Sequence, residues 1–337
     1  MTGELQLDDL MPELLSLVAA ALPADDELAL ALSCRRLHAA VACARQRDGR
    51  ACSTTSAVSA LSSVEKVDWA VSCGLPLGLP LGPCLCARAA ALGQLDTLRC
   101  LRAHGCQWDE GTCQLAAQGG HLEVLQWARA NGCHWDELTS CEAARNGHLS
   151  VLVWVRLNGC PWDEGIAAEA AAYGHLSVLQ WARANGCPWD EDTSEAAADG
   201  GHFEVLQWLH ANGCPWDEEA SYGAAKAGHV PMLEWQRDNG LQWDAGTCTG
   251  AAAGGHLPVL QMLRAQGCPW DENVCMWAAA YGKYSVLQWA HANGCPLGSL
   301  TIADARQYRG SKGVSVADFE AVVKWLRANG CPEGGDD

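Results

Sequence analysis

Along most of this chain the apolar and polar positions follow two periods at once. Within the stretch 116–136, AAQGGHLEVLQWARANGCHWD, the residues Leu122, Val124, Leu125 and Ala128 form an apolar stripe at helical spacing, which predicts an amphipathic helix. The whole stretch then recurs every 27 residues: His121, His148, His175, His202, His229 and His256 keep that interval, and Lys283 stands where the seventh histidine would fall. Each repeat predicts two helices. The first opens at an aspartate able to cap free N–H groups, with an acid in the first turn where the helix dipole favours it, as in Asp109-Glu110. It carries a pair such as Ala116-Ala117 or Ala143-Ala144, small enough to let helices approach closely. Gly120-His121 makes a tight turn into the second helix, and Asn131-Gly132 ends that helix with a glycine able to take the left-handed conformation. Proline in Cys-Pro-Trp-Asp, as at Pro161 and Pro188, stiffens the return loop. A strict period of this length means stacked supersecondary units, so the expected fold is all-α, an α-solenoid of stacked helix pairs.

The ends depart from the period. Residues 1–50 read as a short N-terminal helical segment of three helices, the first starting near Pro12 with Leu14, Leu15, Val18, Ala21 and Leu22 on one face. So short a segment cannot bury its apolar surface alone and must pack on the array, on a partner, or on both. Residues 51–331 form the array, entered by half a repeat, with insertions in the Leu/Gly/Pro run Gly74 to Pro83 and around Arg306 to Val316. Regular repeats run from about Gln107 to Cys295, and 332–337 reads as a disordered tail.

Composition narrows the function. The chain has 337 residues and a formal charge of −18, which argues against nucleic acid and anionic membrane as partners and favours a basic protein surface. No apolar run approaches the roughly 20 residues that span a bilayer, and MTGELQLDDL lacks a basic signal-peptide start, so a cytoplasmic or nuclear location is expected. Among the 19 cysteines, Cys106, Cys133, Cys160, Cys187, Cys214, Cys268 and Cys295 hold the same place in successive repeats. Stacking separates them by roughly 10 Å, too far for a disulfide or a shared metal, so they read as reduced, buried, small apolar residues. Cys84 and Cys86 are the only close pair, and C-x-C alone is a weak metal signal.

Two resemblances follow from quoted residues. Ala116-Ala117-x-x-Gly120-His121-Leu122-Glu123-Val124-Leu125, with Gly132 ending the second helix, resembles the ankyrin repeat. An ankyrin unit has about 33 residues, and the shortfall lies in the loop that carries the family's β-hairpin finger. The resemblance therefore implies ankyrin-like helix pairs with abbreviated fingers, and binding through long hairpin tips is not implied. Near the N-terminus, Leu10-Met11-Pro12-Glu13-Leu14-Leu15, then Leu22-Pro23 with Asp26-Glu27-Leu28, then Ser33-Cys34-Arg35-Arg36-Leu37, resembles an F-box. Met11, the inserted Glu27, and Leu37 in place of tryptophan depart from that pattern. The likeness implies docking of a Skp-type adaptor through Pro12, Leu14, Leu15 and Leu28. A helical cap on the first repeat would account for the same segment without an adaptor.

The repeated residues read as framework. The histidines are expected to fix turns by a hydrogen bond, the tryptophans to pack between repeats, the aspartates to cap helices, and Arg129, Arg156, Arg183, Arg237 and Arg264 to suit the helix dipole without any further role. No G-x-S-x-G, Walker loop, H-E-x-x-H or paired C-x-x-C occurs, so neither catalysis nor a metal or cofactor is expected. Function is instead expected where repeats differ. Counting the capping aspartate as zero, positions +5, +6, +9 and +10 of the first helix vary most and share one face. A protein partner is expected on this concave first-helix face around Tyr173, Glu195, Tyr222, Lys226, Trp277 and Tyr281. Two functions fit: a substrate receptor of a cullin-RING (SCF-type) ubiquitin ligase, or a scaffold or inhibitor without a ubiquitin link.

Overall fold

A computed structural model describes residues 64, 81–307 and 316–334. The chain divides into two compact units, Met1–Trp162 and Asp163–Asp337. Among the described residues there is no strand, and the helices follow one another in pairs. The first unit holds α1 (Leu81–Ala91), α2 (Leu95–Ala103), α3 (Glu110–Gln118), α4 (Leu122–Ala130), α5 (Glu137–Arg145) and α6 (Leu149–Leu157). In the second, α7 (Gly165–Ala172), α8 (Leu176–Ala184), α9 (Glu191–Asp199), α10 (Phe203–Ala211), α11 (Glu219–Ala227) and α12 (Val230–Asp238) come first. They are followed by α13 (Ala245–Gly254), α14 (Leu257–Ala265), α15 (Glu272–Ala280), α16 (Tyr284–Ala292), α17 (Ile302–Gln307) and α18 (Val316–Ala328).

The pair α3/α4 shows how local chemistry builds one repeat. Asp109 is extended, and its carbonyl accepts Thr112 N–H at 3.1 Å, starting α3. Gly120 takes φ 73°, which a side chain would resist, and His121 N–H then closes on Ala116 O at 2.9 Å. Gly132 ends α4 in the same way, with Cys133 N–H on Ala128 O at 3.0 Å. Val124, Leu125 and Ala128 are buried against the first-helix row, where Cys113, Ala116 and Ala117 are fully covered. Each buried Leu or Val of this kind contributes about 2 kcal/mol of transfer free energy.

The aspartates do more than cap. Asp244 and Asp271 accept backbone N–H groups of Thr247 and Asn273 at 3.0 Å, as the sequence predicts. Asp136 instead receives Gln114 Nε2 at 3.0 and 2.8 Å on its two oxygens, and so ties the opening of α5 to the neighbouring α3.

Within each compact unit the first helices stack in order, α1 on α3 on α5, and α7 on α9 on α11 on α13 on α15. Three bonds of tertiary origin join successive repeats. His121 Nε2 lies 3.1 Å from Ala91 O and His148 Nε2 3.0 Å from Gln118 O; a carbonyl only accepts, so Nε2 carries the proton. The expected hydrogen bond of the histidine thus exists, but it reaches back to the end of the preceding first helix rather than fixing its own turn. The ladder cysteines are buried thiols outside any disulfide, and they are donors as well as small apolar residues: Cys133, Cys160, Cys214 and Cys268 send S–H to the carbonyls of Asp109, Asp136, Asp190 and Asp244 at 3.1–3.3 Å. Burial, with Cys106 adding to it, pushes the Cys86 thiol up to about 12. For Cys113 and Cys248 the hydrogen bond to Cys133 and Cys268 raises the thiol first and burial second, so both stay protonated.

The third link corrects the sequence reading of the arginines. Arg129, Arg156, Arg183 and Arg264 each lay the guanidinium over the loop tryptophan of the next repeat, 3.9–4.4 Å from the ring centroid. Arg129 also donates to Cys133 O at 3.0 Å. Where position 210 is histidine, its ring takes the same seat, 4.2 Å from Trp216. The tryptophans pair edge-to-face inside a repeat, as in Trp108 with Trp127 at 5.7 Å and Trp189 with Trp208 at 5.7 Å, and also across repeats, where Trp235 meets Phe203 at 5.6 Å and His210 at 5.5 Å, so cations and rings share the crossing.

The array also begins earlier than its histidines suggest. The pair α1/α2 is a further repeat with Gln94 in the histidine place, and α1 starts at Leu81, inside the run expected to be loop. Pro83 falls in its first turn, where a missing N–H costs nothing. At the other end, Pro332 and Glu333 belong to the expected tail yet are held: Ile302 and Ala303 donate to their carbonyls at 2.9 Å, and Glu333 pairs with Arg327 at 2.8 Å and Arg306 at 3.2 Å. No described helix is long and apolar enough to cross a membrane.

Candidate partner-binding face

The variable positions of the first helices behave differently in the two compact units. In the first, polar side chains satisfy one another: Gln118 Nε2 reaches Glu142 at 3.3 Å, and Arg145 pairs with the same carboxylate at 3.0 Å. In the second, the same positions carry aromatic rings and acids, and all six residues expected at the partner site lie here.

Four of the six come together. On α11, Tyr222 and Lys226 are one turn apart, with Lys226 Nζ 5.8 Å from the Tyr222 ring centroid and 2.8 Å from Asp199 Oδ1 on α9. Trp277 on α15 and Tyr281, its C-cap, are also one turn apart, and their rings stack at 5.5 Å and 18°. All three rings are half-buried, and Lys226 is exposed. Burial pulls the Lys226 ammonium down, but the Asp199 carboxylate more than offsets it, so its pKa lies above the ordinary lysine value, with Tyr222 and Tyr281 adding in the same direction. Burial raises the Tyr222 phenol, against Lys226, and Tyr281 adds to the rise. The three groups are therefore within electrostatic reach of one another across α13.

The other two expected residues stand apart. Glu195 on α9 borders the group through Asp199, one turn further along the same helix. Its carboxyl is raised, first by burial and then by the crowding of Glu219, Asp192, Asp199 and Asp217. Tyr173 caps α7 and is 53% exposed; α7 stacks on α9 rather than on α11, so this ring does not join the cluster.

Sequence reasoning missed the floor. Between the aromatic residues of α11 and α15 runs α13, whose positions +5, +6, +9 and +10 are Thr249, Gly250, Ala253 and Gly254. A Cβ on Gly250 would lie 2.4 Å from Tyr222 O, and one on Gly254 2.2 Å from Lys226 O, so α13 sits against α11 closer than any side chain would allow. Thr249 and Ala253 are each 6% exposed. The result is a face with a small-residue floor and aromatic walls. The signal was available, since the same four positions carry larger side chains in most other repeats. Pro12, Leu14, Leu15 and Leu28, expected to hold an adaptor, lie outside the described residues.

No protein-family model matches the chain, and no curated protein is significantly similar to it. Among solved structures the chain is similar to the ankyrin repeat domain of human ASB11, with 18% identity and a TM-score of 0.40, covering 47% of this chain and 84% of that one.

Proposed function

We propose that the chain is a protein-binding module whose partner is recognised on the first-helix face of residues 163–337. The observation that carries this reading is the cluster of Tyr222, Lys226, Trp277 and Tyr281 around the small-residue floor of α13. Aromatic side chains of this kind supply large contact area at low entropic cost, which is how protein interfaces concentrate binding energy. The module needs no chemistry of its own: its repeated thiols and imidazoles are engaged in joints between repeats. Affinity capture with the wild-type chain and with a Tyr222→Ala/Tyr281→Ala variant tests the reading. The variant is expected to keep its helical content and lose the captured proteins; unchanged capture would sink the proposal.

Within that reading, the N-terminal segment supports a role as substrate receptor of a cullin-RING ubiquitin ligase, with Pro12, Leu14, Leu15 and Leu28 docking a Skp-type adaptor and the array holding the substrate. The competing role is a scaffold or inhibitor, favoured by the need of every repeat array for an end cap. Co-purification with a Skp-type adaptor, lost in Leu14→Asp and Leu15→Asp variants, is expected for the receptor. Absence of the adaptor from the wild-type preparation leaves the scaffold.

A further inference from the structure

The charge of the second compact unit is divided unequally between its two rows of helices. The first helices α7, α9, α11, α13 and α15 carry seven carboxylates and a single cation, Lys226. Their partners α8, α10, α12, α14 and α16 carry three carboxylates, Glu204, Glu234 and Asp238, against three arginines. Between the two helix rows of this unit, the negative excess therefore lies on the one that bears the aromatic cluster, and the capping loops add Asp190, Asp217 and Glu218. The cations of the other row are committed to tryptophan faces, and Lys226 is committed to Asp199 at 2.8 Å. Around Glu195 crowd Asp192 and Asp199 of α9, Glu219 of α11 and Asp217 of the loop before it, and the one cation of these two helices, Lys226, is held by Asp199.

A half-buried aromatic face next to crowded carboxylates suits one chemistry. A guanidinium or ammonium is attracted both by a ring face and by a carboxylate, and its aliphatic stem packs on small apolar residues. An acidic segment would meet repulsion from Glu195 and Glu219, and a neutral apolar one would leave those carboxylates to be desolvated unpaired.

We infer that the partner presents a basic segment to this face, its cationic side chains meeting Glu195 and Glu219 while neighbouring side chains lie on the α13 floor between Tyr222 and Trp277. This rests on the proposed partner-binding face and adds the charge class of what binds there. Electrostatic attraction to the rest of an acidic chain is diffuse, and at physiological salt it is screened beyond about 8 Å. The basic segment is instead held by particular carboxylates and rings, which makes it separable by mutation.

The test uses the full chain and fluorescently labelled peptides of equal length alternating glycine with arginine, glycine with glutamate, or glycine with serine. Binding is followed by anisotropy at 0.15 M salt. The arginine peptide is expected to bind saturably, and the other two are not. Glu195→Gln/Glu219→Gln is expected to weaken it by about tenfold, in line with the loss of one or two charge-assisted contacts. Trp277→Ala weakens it by about threefold or more through the lost ring face. Glu204→Gln/Glu234→Gln, which removes the same charge from exposed positions on α10 and α12, changes it by less than about twofold. A loss equal in this last variant would show diffuse attraction only and overturn the inference. Binding of the glutamate or serine peptide at the same residues would overturn it as well. If no peptide binds while Tyr222→Ala/Tyr281→Ala still loses captured partners, the basic segment is wrong and the face stands. If capture is also unchanged, the face itself falls.

Discussion

The repeated histidines His121 and His148 each hold a carbonyl 30 residues behind them. His148 donates from Nε2 to Gln118 O while its ring covers Gly120, where an added Cβ would lie 2.7 Å from ring atoms. His148→Ala therefore removes a hydrogen bond and the cover of a left-handed glycine together. The expected cost is about 1–3 kcal/mol, read as a lower denaturation midpoint with an unchanged slope. Lys283 covers Gly255 with its methylenes in the same position, so it preserves the packing without the ring. Glu195 illustrates the opposite case, a residue that costs the fold something. Its carboxyl is raised by burial first and by neighbouring acids next, so the folded state holds its proton more tightly than the unfolded chain does. The associated stability is present in acid and lost as pH rises through the folded pKa. Glu195→Gln should accordingly be more stable than the wild type at neutral pH, with the gain shrinking as the pH falls into the carboxylate range. Thermal melts at pH 7 and pH 4 check this, and an equal gain at both would refute it.

Between elements, the glycines separate two kinds of constraint. Gly250 has ordinary helical geometry, and its demand is spatial, because Tyr222 O on α11 occupies the place of a Cβ. Gly267 has open space around it, and its demand is conformational, at φ +84°. Gly250→Ala must push α13 away from α11 and is expected to cost about 1–3 kcal/mol by overpacking, together with a change at the aromatic face that α13 floors. Gly267→Ala is expected to cost about 1 kcal/mol through backbone strain alone and to leave that face intact. Chemical denaturation of both variants, with intrinsic tryptophan and tyrosine fluorescence as the second readout, distinguishes the two. The arginine that crosses each junction gives a further case. Arg183 stacks 3.9 Å above Trp189, and Arg183→Lys keeps the charge but loses the planar stack, for an expected cost of about 0.5–1 kcal/mol.

For the molecule as a whole, a charge of −18, part of it on the first-helix row of residues 163–337, means that self-repulsion and recognition draw on the same field. Raising salt from 0.05 to 0.5 M should raise the melting temperature by screening that repulsion, and should weaken capture of a basic partner over the same range. A melting temperature insensitive to salt would show that the crowded acids carry no net cost.

Much of this was legible in the sequence because it is local. Caps, left-handed glycines and the apolar stripe of the second helix act over three or four residues, so Asp109, Gly120 and Val124 could be assigned from neighbours alone, and the strict period then fixed the stacking of pairs. The contacts that depend on register between helices were not legible. Nothing near Cys133 in the chain announces that its thiol meets Asp109 O, and nothing in the spacing of Arg129 separates a dipole partner from a cation seated on Trp135. The candidate site divides along the same line. Variation between repeats pointed to Tyr222, Lys226, Trp277 and Tyr281, because framework positions cannot vary without loss. Only the tertiary structure joined them across α13, left Tyr173 outside, and turned Gly250 and Gly254 into a floor, because the approach of two helix backbones is set by which side chains are missing from both of them.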